Sequence, residues 1–219
     1  MNLATLIVQF FHSGGAFMYP IALVLVMAVA VAIERLIFLL RSERDSRRLW
    51  ADLSPLIASA DYAAMEKVLA DSPAALARVL ESAIKQSRID SRRSELEIAT
   101  EQGLMDVMPA IERRTHYLAT FSNMSTLLGL LGTVLGLIGA FAALGSADPA
   151  TKADLLSSGI SEAMNCTAFG LMVAIPSLFV HSYMQSRTTE LVDSIESVCS
   201  RFVSSVCGKA RAAAMAAVG

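Results

Sequence analysis

A few polar side chains stand inside two stretches that are otherwise apolar. Leu118–Leu144 carries Ser122, Asn123, Ser125, Thr126 and Thr133 and no charged residue. Gly159–Met184 carries Asn165, Thr167 and a single acid, Glu162. Ionisable and strongly polar groups at membrane depth are costly, so they point to function before structure. Hydroxyls, an amide and one carboxylate in an apolar layer suit a polar pathway through that layer. They do not suit bond-making chemistry. No nucleophile has a plausible histidine partner, since His12, His116 and His181 are scattered near the ends of apolar segments. The glycines sit within apolar stretches, not in a phosphate-binding loop. Cys166, Cys199 and Cys207 are too widely spaced for a zinc site or a disulfide framework and read as small reduced hydrophobes. No enzyme, cofactor or metal is expected.

At 1.5 Å per residue, Thr133 lies about 18 Å along its helix from Gly145, and Thr167 about 12 Å along the next from Gly159. The two hydroxyls therefore fit one layer of a polar pathway. Glu162 has two readings. It is a pathway acid, or it is a first-turn acid that stabilises a helix N-terminus. Glu162 and Thr167 are separated by about 140° around the helix, so both cannot point squarely into one pore.

These residues need long helices to place them. About 27 residues of helix rise roughly 40 Å, enough to cross a bilayer core of roughly 30 Å. Gly129, Gly132, Gly136, Gly139, Ala140 and Ala143 fall within an arc of roughly 120°, and Thr133 lies at its edge. Each glycine costs a helix about 1 kcal/mol relative to alanine. Close approach of two helix backbones is the usual reason for such a stripe in a membrane. The following stretch has its own stripe: Gly159, Ala163, Cys166, Gly170, Ala174 and Ser177. A third apolar run, Ala16–Leu40, has Pro20 in its first turn and Glu34–Arg35 near its end. It reads as a retained anchor, with Arg35 snorkelling toward headgroups.

Composition agrees. Hydrophobic residues make up 54% of the chain and charged residues 17%, with a mean hydropathy of +0.54, too apolar for an ordinary soluble domain. Most Lys and Arg fall in Arg41–His116, whereas residues 1–15 carry none and Gly145–Ser158 only Lys152. The positive-inside rule then sets the layout. Residues 1–15 and a hairpin at 145–158 are outside, and spans run over 16–40, 118–144 and 159–184. A helical domain at 41–117 and a C-terminal helix at 185–219 are inside. The expected fold is an all-α integral membrane protein with three transmembrane helices and long helical cytoplasmic extensions, N-out and C-in. Within the polar part, Asp61 is expected to cap a helix through Leu69. Ser72-Pro73 is expected to start one over Ala74–Lys85, and Asp90 or Ser91 another that Pro109 kinks or interrupts. Leu191, Ile195, Val198, Phe202 and Val206 repeat at helical spacing in the tail. The basic residues alternate with acids, which favours a solvated face over nucleic-acid binding.

The stretches LLGLLGTVLGLIGAF (Leu127–Phe141) and GISEAMNCTAFGLMVAIPSL (Gly159–Leu178) resemble the signatures of the MotA/TolQ/ExbB family, in its TolQ/ExbB branch. SGGAFMYPIALVLVMAVAVAIERL (Ser13–Leu36) resembles its first span. The resemblance implies a homopentamer in the bacterial inner membrane around two copies of a single-span partner of the ExbD/TolR type. That partner's helix carries the protonatable Asp. Proton flow at the interface would drive work on the cell envelope, through a TonB/TolA-like protein in some members. By motif match, Thr133 and Thr167 would face the pore, with Glu162 at its mouth and Asn165 beside it. Gly129, Gly132, Gly136, Gly139 and Gly170 would pack helices. Ser125-Thr126 stands where the family commonly has Ala-Pro, and Asn165-Cys166 where it has a small or apolar pair. More oxygen ligands would also suit Na⁺, while the family favours H⁺. The rival readings are a self-contained ion channel or secondary transporter, and a non-conducting scaffold.

Overall fold

The computed structural model describes residues 10–11, 14–59, 61–89, 92–145 and 148–216, with only the backbone described at 58, 62 and 209–216. From Met18 on, the described residues form helices in this order: α1 Met18–Ser59, α2 Tyr62–Ala70, α3 Ala75–Ile89, α4 Arg93–Glu112, α5 Thr115–Leu144 and α6 Lys152–Ala216. There is no strand among the described residues. Among the described residues, three helical stretches are long and apolar enough to cross a membrane: Met18–Ile57, Arg93–Leu144 and Lys152–Gly208.

The chain divides into two compact units, Met1–Glu34 with Arg114–Tyr183, and Arg35–Arg113 with Met184–Gly219. The first is apolar. The start of α1, α5 and the first half of α6 bury small and apolar residues against each other. They turn large apolar side chains outward, among them Val26, Leu127, Val134, Ile138, Ile175 and Phe179. An apolar outer surface of that extent is a liability in water and an asset in a bilayer.

The second unit is built as a soluble domain is. Leu76, Val79, Leu80, Ala83 and Ile84 of α3 face Leu96, Leu104, Val107 and Ile111 of α4. Gly103 allows their close approach, since a Cβ there would lie 3.0 Å from Val79 Cα and 3.2 Å from its carbonyl oxygen. Met184, Leu191, Ile195, Cys199, Phe202 and Val206 form one buried stripe on α6. Burial pushes the Cys199 thiol up to about 12, so it stays protonated at physiological pH and acts as a small hydrophobe.

Local signals explain most helix ends. The Asp61 carboxylate accepts the Ala64 N–H at 3.0 Å and caps α2. Ser72 Oγ instead accepts the N–H of Ala74, two residues on, at 3.3 Å. That side-chain turn delays α3 to Ala75, one residue past the expected start, and the helix runs on to Ile89. Asp90 and Ser91, the expected start of the next helix, lie outside the described residues. Pro109 lies inside α4 without ending it. The break comes at Arg113–Arg114, where Arg114 is left-handed (φ 65°) and its guanidinium pairs with Glu34. A left-handed non-glycine residue costs on the order of 1–2 kcal/mol and needs such support.

Two further expectations are corrected. Arg35 does not snorkel outward. It is 3% exposed, donates to the Ile111 carbonyl in the last turn of α4, and lies 4.7 Å from the centre of the Phe38 ring. A carbonyl in a helix's last turn lacks an intrahelical donor and attracts a cation. The last helix also starts earlier than Gly159. Asp148 carbonyl oxygen accepts the Thr151 N–H and hydroxyl at 2.9 and 3.1 Å, and α6 runs unbroken from Lys152. The acid in its first turn is Asp154, so the helix-end reading of Glu162 falls. Glu162 is about 15 Å along the helix from Lys152.

Candidate functional site

The site is built on the seam between α5 and α6 in the apolar unit. Gly170 sets the approach. A Cβ there would lie 2.6 Å from the Ser125 carbonyl oxygen and 3.1 Å from Gly129 Cα. A Cβ on Gly129 would lie 3.3 Å from the Cα atoms of both Gly170 and Thr167. Further along, Gly132 faces Cys166, Gly136 faces Ala163, and Gly159 faces Ala140. Gly139 is different. It is exposed, and no atom of the described residues lies within 4 Å of where its Cβ would stand.

Close approach brings two threonines together. Thr133 Oγ1 and Thr167 Oγ1 are 2.7 Å apart. Thr167 Oγ1 also bonds the Gly129 carbonyl at 2.9 Å, and Thr133 Oγ1 has the carbonyls of Gly129 and Leu130 at 3.1 and 2.9 Å. Each hydroxyl has one proton and more than one acceptor in reach. The pair can therefore reverse its donor direction without moving a heavy atom. Both threonines are half-buried.

Beyond the pair, the seam stays polar on its inner side. Ser122 Oγ donates to the Ala174 carbonyl at 2.8 Å, and Ser177 Oγ to the Val173 carbonyl at 2.7 Å, both buried. Both carbonyls lie on α6 just before Pro176, whose missing N–H leaves the Met172 carbonyl, rather than these two, without its ladder donor. In an apolar layer the serines supply donors that water cannot. Ser125 is fully buried, and its Oγ has no hydrogen-bond partner among the described residues. Thr126 Oγ1 turns back to the Ser122 carbonyl at 3.2 Å, and Asn123 is exposed.

The remaining candidates lie on another face. Glu162 is exposed, and its carboxylate rests against Gly15 in the turn before α1. Asn165 is half-buried and about 60° from Glu162 around the helix, but about 160° from Thr167. Aromatic rings cover this face further along. Phe10 and Phe11 stand edge-on to Phe169 with centroids 6.0 and 5.2 Å away. They adjoin a core of Met18, Ile21, Cys166, Phe169 and Val173. So the structure joins Thr133 to Thr167 and separates both from Glu162 and Asn165. Sequence reasoning missed Gly15 and the Ser122 bond. The Gly14-Gly15 pair is a turn signal that pointed to the first, whereas no local signal pointed to the second, a bond between residues 52 apart.

Of the histidines, His116 is exposed beside Tyr117, His181 is half-buried, and His12 lies outside the described residues. Among the described residues no group of three or more His, Cys, Asp or Glu side chains could hold a metal ion.

With this geometry in view, comparison with known proteins is informative. The family model described as the MotA/TolQ/ExbB proton channel family matches residues 71–197, which include the whole α5–α6 seam. An ExbB-like biopolymer transport protein of Synechocystis is 30% identical over 80% of this chain and 82% of its own length. An ExbB homologue of Methanothermobacter thermautotrophicus is 30% identical over 90% of this chain and 69% of its own. The Tol-Pal system protein TolQ of Haemophilus influenzae is 38% identical over 37% of this chain and 36% of its own.

Proposed function

Because the chain belongs to the MotA/TolQ/ExbB proton channel family, we propose that it is the stator subunit of a proton-driven motor that works on the cell envelope. The chain is a multi-pass membrane protein of a family that energises transport and works in complexes. In the proposed complex, five copies in the bacterial inner membrane surround two copies of a single-span ExbD/TolR-like partner. Residues 1–15 and the α5–α6 turn lie outside, and both ends of the polar unit lie inside.

The observation that carries this reading is the Thr133–Thr167 pair. It has hydroxyls that can hand a proton on and, among the described residues, no acid beside them that can hold one, since the Glu162 carboxylate lies on a different face of α6. A hydroxyl pair relays but does not store. The missing store is the partner's Asp, brought against the pair. The second reading, a self-contained channel or transporter, draws on the exposed Glu162 carboxylate as an in-chain store. The downstream machine, whether TonB-type uptake, Tol-type envelope maintenance or gliding-type motility, follows from the partner.

Native mass spectrometry of the detergent-purified chain, alone and co-expressed with the single-span protein encoded beside it, tests the assembly. A pentamer that takes up two partner copies is expected. A monomer or dimer that ignores the partner would sink the stator reading.

A further inference from the structure

Gly15 stands at φ +73°, in the left-handed region that L side chains rarely adopt. It is also the residue against which Glu162 rests. A methyl group on Gly15 would overlap Glu162 Oε1 and lie 2.9 Å from its Cδ and 3.2 Å from its Cγ. Two independent demands, on backbone and on space, thus meet at one position. The next residues fix that position. Gly15 carbonyl oxygen accepts the Met18 N–H at 3.3 Å, and Met18 is fully buried against α6. Phe169, about 340° from Glu162 and so on the same side of α6, carries the rings of Phe10 and Phe11. Phe10, Phe11 and Gly15 therefore lie along the face of α6 that presents the acid, and at Gly15 there is a gap of one side chain.

We propose that Gly15 is a positioning residue for Glu162: the side chain it lacks is the space the carboxylate occupies, so residue 15 sets where this acid stands on its own face of α6, apart from the Thr133–Thr167 pair. The inference deepens the stator reading and rests on it for a role of Glu162 at the mouth of the proton path, although the contact itself does not. Any larger residue at 15 pushes the carboxylate off its place and changes how readily protons enter the path at its mouth.

The test is a double-mutant cycle on the complex with its single-span partner: wild type, Gly15→Ala, Glu162→Ala and both together, with Gly15→Ala/Glu162→Asp as rescue. Proton flux into proteoliposomes and the melting temperature in detergent are the readouts. The expected result is a fall in flux of about fivefold or more for Gly15→Ala, with no further fall when Glu162 is already alanine. Aspartate, one methylene shorter, should restore part of the flux in the Gly15→Ala background. Gly15→Ala should also lower the melting temperature more beside Glu162 than beside alanine. Equal proportional losses in both backgrounds, with no rescue by aspartate, would overturn the proposal and leave Gly15 as a backbone requirement alone. Should Gly15→Ala fail to assemble, assembly of the Gly15→Ala/Glu162→Ala pair supports the contact, and failure of both overturns it. A wild-type complex that conducts no protons defeats the stator reading, whereas additive melting temperatures defeat the contact. The two failures are distinct.

Discussion

Replacing Thr167 with valine is expected to lower proton flux through the partnered complex roughly ten- to a hundredfold while leaving the protein folded and assembled. Valine keeps the β-branched shape and removes only the hydroxyl. The structural loss is small. The Gly129 carbonyl keeps its backbone donor within α5, so losing the 2.9 Å bond from Thr167 costs about 1 kcal/mol. The functional loss is larger. A hydroxyl that passes a proton bears charge in passing, and hydrogen bonds to charged groups contribute about 1.5–3 kcal/mol. At about 1.4 kcal/mol per factor of ten, that gives the expected range. Thr133→Val should act alike, because the 2.7 Å contact makes the two hydroxyls one unit. The double variant should then be little worse than either alone. Serine at either position keeps the hydroxyl and should retain most of the flux. A scaffold that only packs subunits would lose nothing with valine.

Gly170→Val is expected to be among the most damaging single substitutions in the apolar unit, and Gly139→Ala harmless. Both positions are glycines inside long apolar helices, and the sequence alone ranks them equally. The neighbours separate them. At Gly170 the added atoms meet the Ser125 carbonyl oxygen and the Gly129 backbone, neither of which can swing aside. Overpacking costs about 1–3 kcal/mol even where side chains can yield, so here α5 and α6 must part. That parting also breaks the Thr133–Thr167 contact one turn away. At Gly139 no atom of the described residues lies within 4 Å of an added Cβ, and alanine gains up to about 1 kcal/mol of helix propensity. Melting curves of the purified variants check the contrast. Loss of the folded protein with Gly139→Ala would show that Gly139 meets another subunit in the assembly.

The contrast marks what could be read from the residues. Apolar runs and small-residue stripes are local patterns, so the three long helices and the facing glycines of α5 and α6 were legible. A shared layer for Thr133 and Thr167 was expected from counting 1.5 Å steps with the last helix starting at Gly159; the two do meet, although α6 starts at Lys152, and the facing glycines set that register. Of the two readings of Glu162, the helix-end one fell because it depends on where α6 starts, and Thr151 and Asp148 start it before the polar residues Asp154, Ser157 and Ser158. Nothing in those residues forbids helix, but nothing in a hydropathy pattern reveals it. Its neighbour Gly15 lies far away in sequence, as Ser122 does from Ala174, and pairings of that range are set by packing. Arg35 looked like an interfacial cation, yet Ile111 offered a carbonyl in a helix's last turn, a partner that exists only once α4 has formed. Pro109 signalled a break in the right region, but the chain turned at Arg114, where Glu34 supplies the opposing charge.

The most direct test of the account is proton flux in proteoliposomes that hold this chain alone or together with its single-span partner. The chain alone is expected to conduct no more than protein-free vesicles. The pair is expected to conduct, and to stop when the partner's membrane Asp is changed to Asn. Flux from this chain alone, unaffected by the partner, would contradict the stator reading and make Glu162 the acid that carries the proton.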